Sequence, residues 1–184
     1  MADPKIRKCR RITGNRLSLV DAKASDAEFI LELRSDVNKN RYLSSTSPDL
    51  EKQRVWMEKY GFDDSQAYFL ILSEGERIGT VRLYDPRLDS FCWGSWLIKN
   101  GAPSSAAIES ALMVYRYARS LGFSRAHFDV RKENSSVWKF HERFGAMRIR
   151  ETELDYFYEI SAENIETSIQ RYKKFLPKGI GIEW

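Results

Sequence analysis

Polar and apolar positions alternate over residues 16–21 (Arg-Leu-Ser-Leu-Val-Asp), the period of a strand with one buried face. Helical spacing takes over at Phe29, Ile30, Leu33 and Val37, behind a capping-box sequence from Ser25 to Glu28. Residues 38–47 are polar and loop-like. Ser47, Pro48 and Asp49 then supply an N-cap, a first-position proline and an acidic first turn, opening a second helix that carries Val55, Trp56, Met57 and Tyr60 and stops at Gly61.

Three apolar, β-branched or aromatic runs follow at residues 67–72, 77–84 and 91–98, joined by short turns at 73–76 and at Asp85-Pro86. They predict an antiparallel meander. Gly79 and Gly94 interrupt two of these strands, as glycines do at bulges, at close backbone approaches, or simply where packing leaves no room. After residues 100–105 the period returns to 3.6, with Ala107, Ile108, Ala111, Leu112, Val114, Tyr115 and Ala118 forming a broad core-facing stripe before Gly122. Residues 125–131 predict a strand, 134–144 a short helix from Asn134 to Gly145, 146–150 and 154–160 a hairpin, and 163–175 an amphipathic helix. The strand, helix and strand from 91 to 131 imply a right-handed crossover between parallel neighbours. The expected fold class is therefore mixed α/β (α+β).

Composition narrows the picture further. A chain of 184 residues, 42% hydrophobic and 30% charged, fits one globular domain. No apolar run approaches the ~20 residues that span a bilayer, and the start of the chain lacks a signal-peptide segment, so a cytoplasmic location and no membrane partner are expected. Cys9 and Cys92 have neither disulfide nor metal spacing, and with two histidines the expectation is no metal site. Part of the +4 net charge lies in Lys5, Arg7, Lys8, Arg10 and Arg11, which reads as a solvated arm or, alternatively, as a grip on nucleic-acid phosphates.

Two segments carry chemistry. Residues 99–105 lie where a strand ends and a helix begins, so free N–H groups and the positive helix terminus make an anion site, or else an ordinary turn. Gly101 permits close approach there, and Ser104, Ser105 and Lys99 add donors and charge. In the second segment Asn134 can cap a helix and project its amide, while Val137, Phe140, His141 and Phe144 share a side. His141 is then either a proton donor in a cleft or a buried structural histidine.

Asn134, Val137, His141 and Gly145-Ala146 match the second signature of the GNAT superfamily of N-acetyltransferases, in which an aromatic residue, usually tyrosine, stands at the position of His141. With the order of elements, the chain resembles that family from residue 16 to 160, in either the ribosomal-protein alanine acetyltransferase branch or the amino-sugar branch. The loop Lys-Asn-Gly-Ala-Pro-Ser-Ser-Ala departs from the family pattern, and Pro103 removes one backbone donor.

The resemblance implies a twisted mixed sheet of about seven strands, splayed at its central parallel pair, within a catalytic domain at residues 16–161. A flexible basic arm at 1–15 and a C-terminal helix and tail at 162–184 would flank it. Acetyl-CoA, the co-substrate, would lie against Trp96, Leu97 and Ile98, with its pyrophosphate on Lys99, Asn100, Gly101, Ala102, Ser104, Ser105 and Ala106, and with contacts from Asn134 and His141. His141 would be the general acid. The amine acceptor, whether a protein N-terminus, an amino-sugar nucleotide or another small amine, would meet Arg34, Arg41, Tyr42 and Ser44.

For the base, Asp129 and His127 share one strand face, and Glu109 lies on the core helix. Neither cysteine is paired with a histidine base in sequence, so direct transfer without an acyl-enzyme is expected. Alternatives are a catalytically silent acyl-CoA-binding module and a nucleic-acid-binding protein. A homodimer using residues 178–184 is also left open.

Overall fold

The computed structural model describes residues 3–36 and 49–184. Among these, nine strands form one sheet: β1 (Arg11–Thr13), β2 (Leu17–Asp21), β3 (Ala67–Ser73), β4 (Glu76–Arg87), β5 (Ser90–Ile98), β6 (Arg125–Arg131), β7 (Met147–Glu151), β8 (Asp155–Ile160) and β9 (Gly181–Glu183). Their spatial order is β7-β8-β6-β5-β4-β3-β2-β1-β9, antiparallel throughout except for the parallel pair β5–β6. The helices are α1 (Ala27–Ser35), α2 (Leu50–Gly61), α3 (Ala106–Ser120), α4 (Ser135–Arg143) and α5 (Ala162–Arg171).

The sheet separates two apolar layers. On one face Met57 and Tyr60 of α2 and Ile30 of α1 pack on Tyr68 and Leu70 of β3. The other face carries the main core, where Leu112, Val114, Tyr115 and Tyr117 of α3 meet Phe69, Val81, Phe91 and Trp93, and α5 adds Ile165 and Ile169. Truncating one such fully buried side chain costs about 2–5 kcal/mol, so this face dominates stability.

Several boundaries differ from the sequence reading. The expected capping box at Ser25 is instead a 3-10 turn over Ala24–Asp26, where the Asp26 carboxylate accepts the Lys23 N–H at 2.9 Å. Asp49, rather than Ser47, caps α2, accepting the N–H groups of Glu51 and Lys52. Ser47 lies outside the described residues. Strand β4 runs through Asp85-Pro86 to Arg87 because a register shift after Tyr84, with Asp85 at φ 47°, absorbs the proline without ending the strand. Asn134 occupies the N-cap of α4 but makes no side-chain cap bond.

The basic arm is also corrected. Ile6, Cys9 and Ile12 are buried, β1 pairs with β2, and the tail closes the sheet as β9, pairing Ile12 with Ile182. Arg10 pairs with Glu183, Arg7 stacks over Trp184, and the Lys8 ammonium donates to the Tyr60 carbonyl. These partners draw the arm's cations onto the chain itself. Apolar residues at every third position of this short segment override its positive charge, because burying each is worth about 1.5–3 kcal/mol. Among the described residues, no helix is long and apolar enough to cross a membrane and no cluster of three or more His, Cys, Asp or Glu side chains could hold a metal.

Candidate active site

Strands β5 and β6 are paired only from Ser90↔Arg125 to Cys92↔His127. Past that point they diverge, and the cause lies on the opposite edge of β5. Thr80 pairs with Leu97 but Arg82 with Gly94, so Ser95 and Trp96 oppose the single residue Val81 in a bulge. Ser95 takes a left-handed φ of 46°, and the Thr80 hydroxyl holds its carbonyl at 2.8 Å. Gly79 is required beside it, since a Cβ there would lie 2.1 Å from the Leu97 carbonyl oxygen. The bulge bends β5 away from β6 and opens a cavity of about 550 Å³ between them.

One wall of the cavity is aromatic. His141 is 5% exposed and packed among Phe128, Trp93, Phe140 and Trp96, with ring centroids at 4.1, 5.1, 5.8 and 5.9 Å. Its Nδ1 is buried without a hydrogen-bond partner. Burial disfavours the imidazolium and pushes the pKa down to about 3. The ring of His141 therefore faces the cavity and is neutral near pH 7.

The other wall is charged. Asp129, Arg131 and Asp155 line it, with Arg131 and Asp155 paired at 3.3 Å. Desolvation, reinforced by the Asp155 carboxylate and opposed by Arg131, raises the Asp129 pKa above its ordinary value. The other two base candidates are engaged elsewhere. His127 contacts Ser90 at 2.8 Å and Asp85 at 3.3 Å. Glu109, 1% exposed, accepts the N–H groups of Asn15, Arg16 and Leu17 on one oxygen at 2.7, 2.7 and 2.9 Å, and so fastens the β1–β2 turn to α3.

Neither thiol is an available nucleophile. Burial pushes Cys92 up to about 12 and also raises Cys9, so both are protonated near neutral pH.

Trp96, Leu97, Ile98, Asn134 and His141 line the cavity together, whereas Lys99 to Ala106 sit just beyond its α3 end, next to Ile98 and Ala107. In this turn Gly101 has φ +83°, Ala106 donates to the Pro103 carbonyl, and Glu109 to that of Ser105. The N–H groups of Ala107 and Ile108 have no backbone carbonyl partner among the described residues, which leaves the positive end of α3 open. Ser105 is the N-cap residue and makes no side-chain cap bond. Arg34, at the end of α1, does not line the cavity; Arg41, Tyr42 and Ser44 lie outside the described residues.

Sequence reasoning missed the charged wall of Arg131 and Asp155, and also Arg82 and Tyr84, which stand beside Gly94 on the same sheet face. The available signal was the alternation Thr80, Arg82, Tyr84 within an apolar strand.

A splayed parallel pair with an open strand edge, ending at a free helix N-terminus, suits an extended ligand with an anionic end. The chain belongs to the GNAT acetyltransferase family: the family model described as an acetyltransferase (GNAT) domain matches residues 16–147. Among solved structures it is similar to FdhC, described as a nucleotide-linked sugar GNAT, with 33% identity, 95% of this chain and 99% of that one covered, and a TM-score of 0.80. Its fold is also that of a GCN5-related N-acetyltransferase from Brucella melitensis, at 18% identity, 94% and 88% coverage and a TM-score of 0.76. A spermidine/spermine N-acetyltransferase from Vibrio cholerae shares it at 16% identity, 83% and 97% coverage and a TM-score of 0.68. No curated protein sequence matches the chain.

Proposed function

We propose that this protein transfers an acetyl group from acetyl-CoA directly to a primary amine carried by a nucleotide-linked sugar. The observation that carries the reading is the cavity between β5 and β6, with an apolar wall for the thioester, a charged wall for the amine and the N-terminus of α3 at its end. The similarity to FdhC over nearly the whole chain supports the acceptor class.

In this mechanism the pantetheine arm hydrogen-bonds to the β5 edge along Trp96 and Leu97, and the pyrophosphate sits on the turn from Lys99 to Ala106, with Asn134 contacting the coenzyme. Open N–H groups on the strand edge polarise the thioester carbonyl. Asp129 takes a proton from the acceptor ammonium, directly or through water. The amine nitrogen then bonds to the carbonyl carbon, the C–S bond breaks, the electron pair leaves on sulfur, and the second proton of the nitrogen passes to the thiolate, directly or through water. Neutral His141 offers a ring N–H as a hydrogen bond to that sulfur as it departs. Positioning of the two substrates contributes most of the acceleration. Residues 38–47 remain the proposed acceptor wall, with Arg34, Arg41, Tyr42 and Ser44 as the proposed contacts.

The test begins with unfolding in the presence of acetyl-CoA, which at about 100 times its dissociation constant adds about 2.7 kcal/mol. Thiol release is then followed with a nucleotide-linked amino sugar, spermidine and an N-terminal peptide. Release with the amino sugar is expected. Stabilisation without release from any amine would replace this reading with a silent acyl-CoA-binding module.

A further inference from the structure

We propose that Arg82 is the anion-recognition residue of the acceptor pocket and that it takes the diphosphate of the acceptor, an inference that rests on the acyl-transfer reading of the adjoining cavity. Arg82 stands directly opposite Gly94, and Gly94 lines that cavity. Its guanidinium lies 4.3 Å from the Tyr84 ring centroid and 5.6 Å from that of Trp56. Its Nε is buried with no hydrogen-bond partner, and no carboxylate among the described residues pairs with it. Two ring faces attract a cation but leave its planar donors unused. A guanidinium held flat in this way matches two phosphate oxygens at once.

The position fits an acceptor with two recognised ends. Arg82 on β4 and Asp129 on β6 lie on the same sheet face, on either side of β5 and across the gap where β5 and β6 part. Tyr84 and Cys92 sit between them, and both feel the Arg82 cation and the Asp129 carboxylate. With the arginine side chain spanning part of that gap, a sugar ring bridges an amine at Asp129 and a phosphate at Arg82. Trp56, 37% exposed, flanks the guanidinium and offers an apolar surface to the base of a nucleoside diphosphate.

The experiment measures binding of uridine diphosphate and of inorganic pyrophosphate by calorimetry, on protein saturated with coenzyme A so that the α3 terminus is filled. Wild type is expected to bind uridine diphosphate more tightly than pyrophosphate. Arg82→Met should weaken uridine diphosphate at least tenfold without changing coenzyme A affinity, and Arg82→Lys should weaken it severalfold, because an ammonium cannot form the paired contact. Equal affinity in wild type and Arg82→Met, or no binding by wild type, overturns the proposal. Should Arg82→Met fail to fold, unchanged affinity in Arg82→Lys overturns it equally. Absence of thiol release from wild type with every amine would strike the acyl-transfer reading instead, while nucleotide binding would still decide the role of Arg82.

Discussion

His141 should make folding stability depend on pH in a direction that separates it from a catalytic imidazolium. In the unfolded chain its pKa is the ordinary 6.5; in the fold, burial among four aromatic rings takes it down to about 3. Below pH 6.5 the unfolded chain binds a proton that the folded chain refuses, so stability present above 6.5 is lost as pH falls toward 3. One unit corresponds to 1.36 kcal/mol, so at pH 5, about 1.5 units below 6.5, the loss is about 2 kcal/mol. His141→Phe and His141→Leu remove the titrating ring but keep an apolar side chain. Urea unfolding of the ligand-free protein, followed by the fluorescence of Trp93 and Trp96, gives stability at pH 7.5 and at pH 5 for each chain. Wild type should lose about 2 kcal/mol more than either variant over that interval. Every other titrating group is common to all three chains and cancels in the comparison. Equal losses would refute the claim that burial keeps His141 neutral.

Two further outcomes follow from the same geometry. Glu109→Gln should destabilise the protein by about 1–3 kcal/mol in urea unfolding, since three N–H donors, that of Leu17 buried, lose a charged acceptor, while turnover per folded molecule stays unchanged; wild-type stability would show that those contacts contribute little. Asp129→Asn should lower kcat by about 10²–10⁴-fold without altering acetyl-CoA affinity. Because the Asp129 pKa is raised, wild-type activity should fall with decreasing pH through a point above the ordinary carboxylate value of 3.8, and the variant should lack that acid limb.

How much of this was legible in the sequence depended on whether the signal was local. Residues 125–131 were predicted as a strand and are β6 residue for residue, because alternating burial is written directly into Arg-Ala-His-Phe-Asp-Val-Arg. The core helix and the short helix behind Asn134 were equally plain, each through apolar residues at helical spacing and a glycine stop. Strands β1 and β9 were not, since three residues carry no period, and β9 exists by pairing with β1 at the other end of the chain. At the site, His141, Asn134 and Asp129 could be named from spacing and type. The charge states of His141 and Asp129 could not, because desolvation is a property of what surrounds a residue. Glu109 illustrates the same limit: a helix glutamate reads as a base candidate until the turn at Asn15 arrives to fill its oxygen.

Arg82 and His141 face opposite sides of the sheet, and on the proposed chemistry that separation keeps the two substrates from competing. The thioester meets rings that exclude water, where a strand N–H polarises a carbonyl more strongly than it would in solvent. The amine meets Asp129, Arg131 and Asp155, where a charged acceptor is held without entering the apolar wall. Contact between the two is possible because the bulge at Ser95 ends strand pairing after Cys92, one residue before Trp93 turns its ring to the cavity. A nucleophilic side chain at that gap would interpose an acyl-enzyme. Cys92, next to that gap on β5, is held protonated by burial, which supports direct attack by the acceptor amine in the proposed reaction.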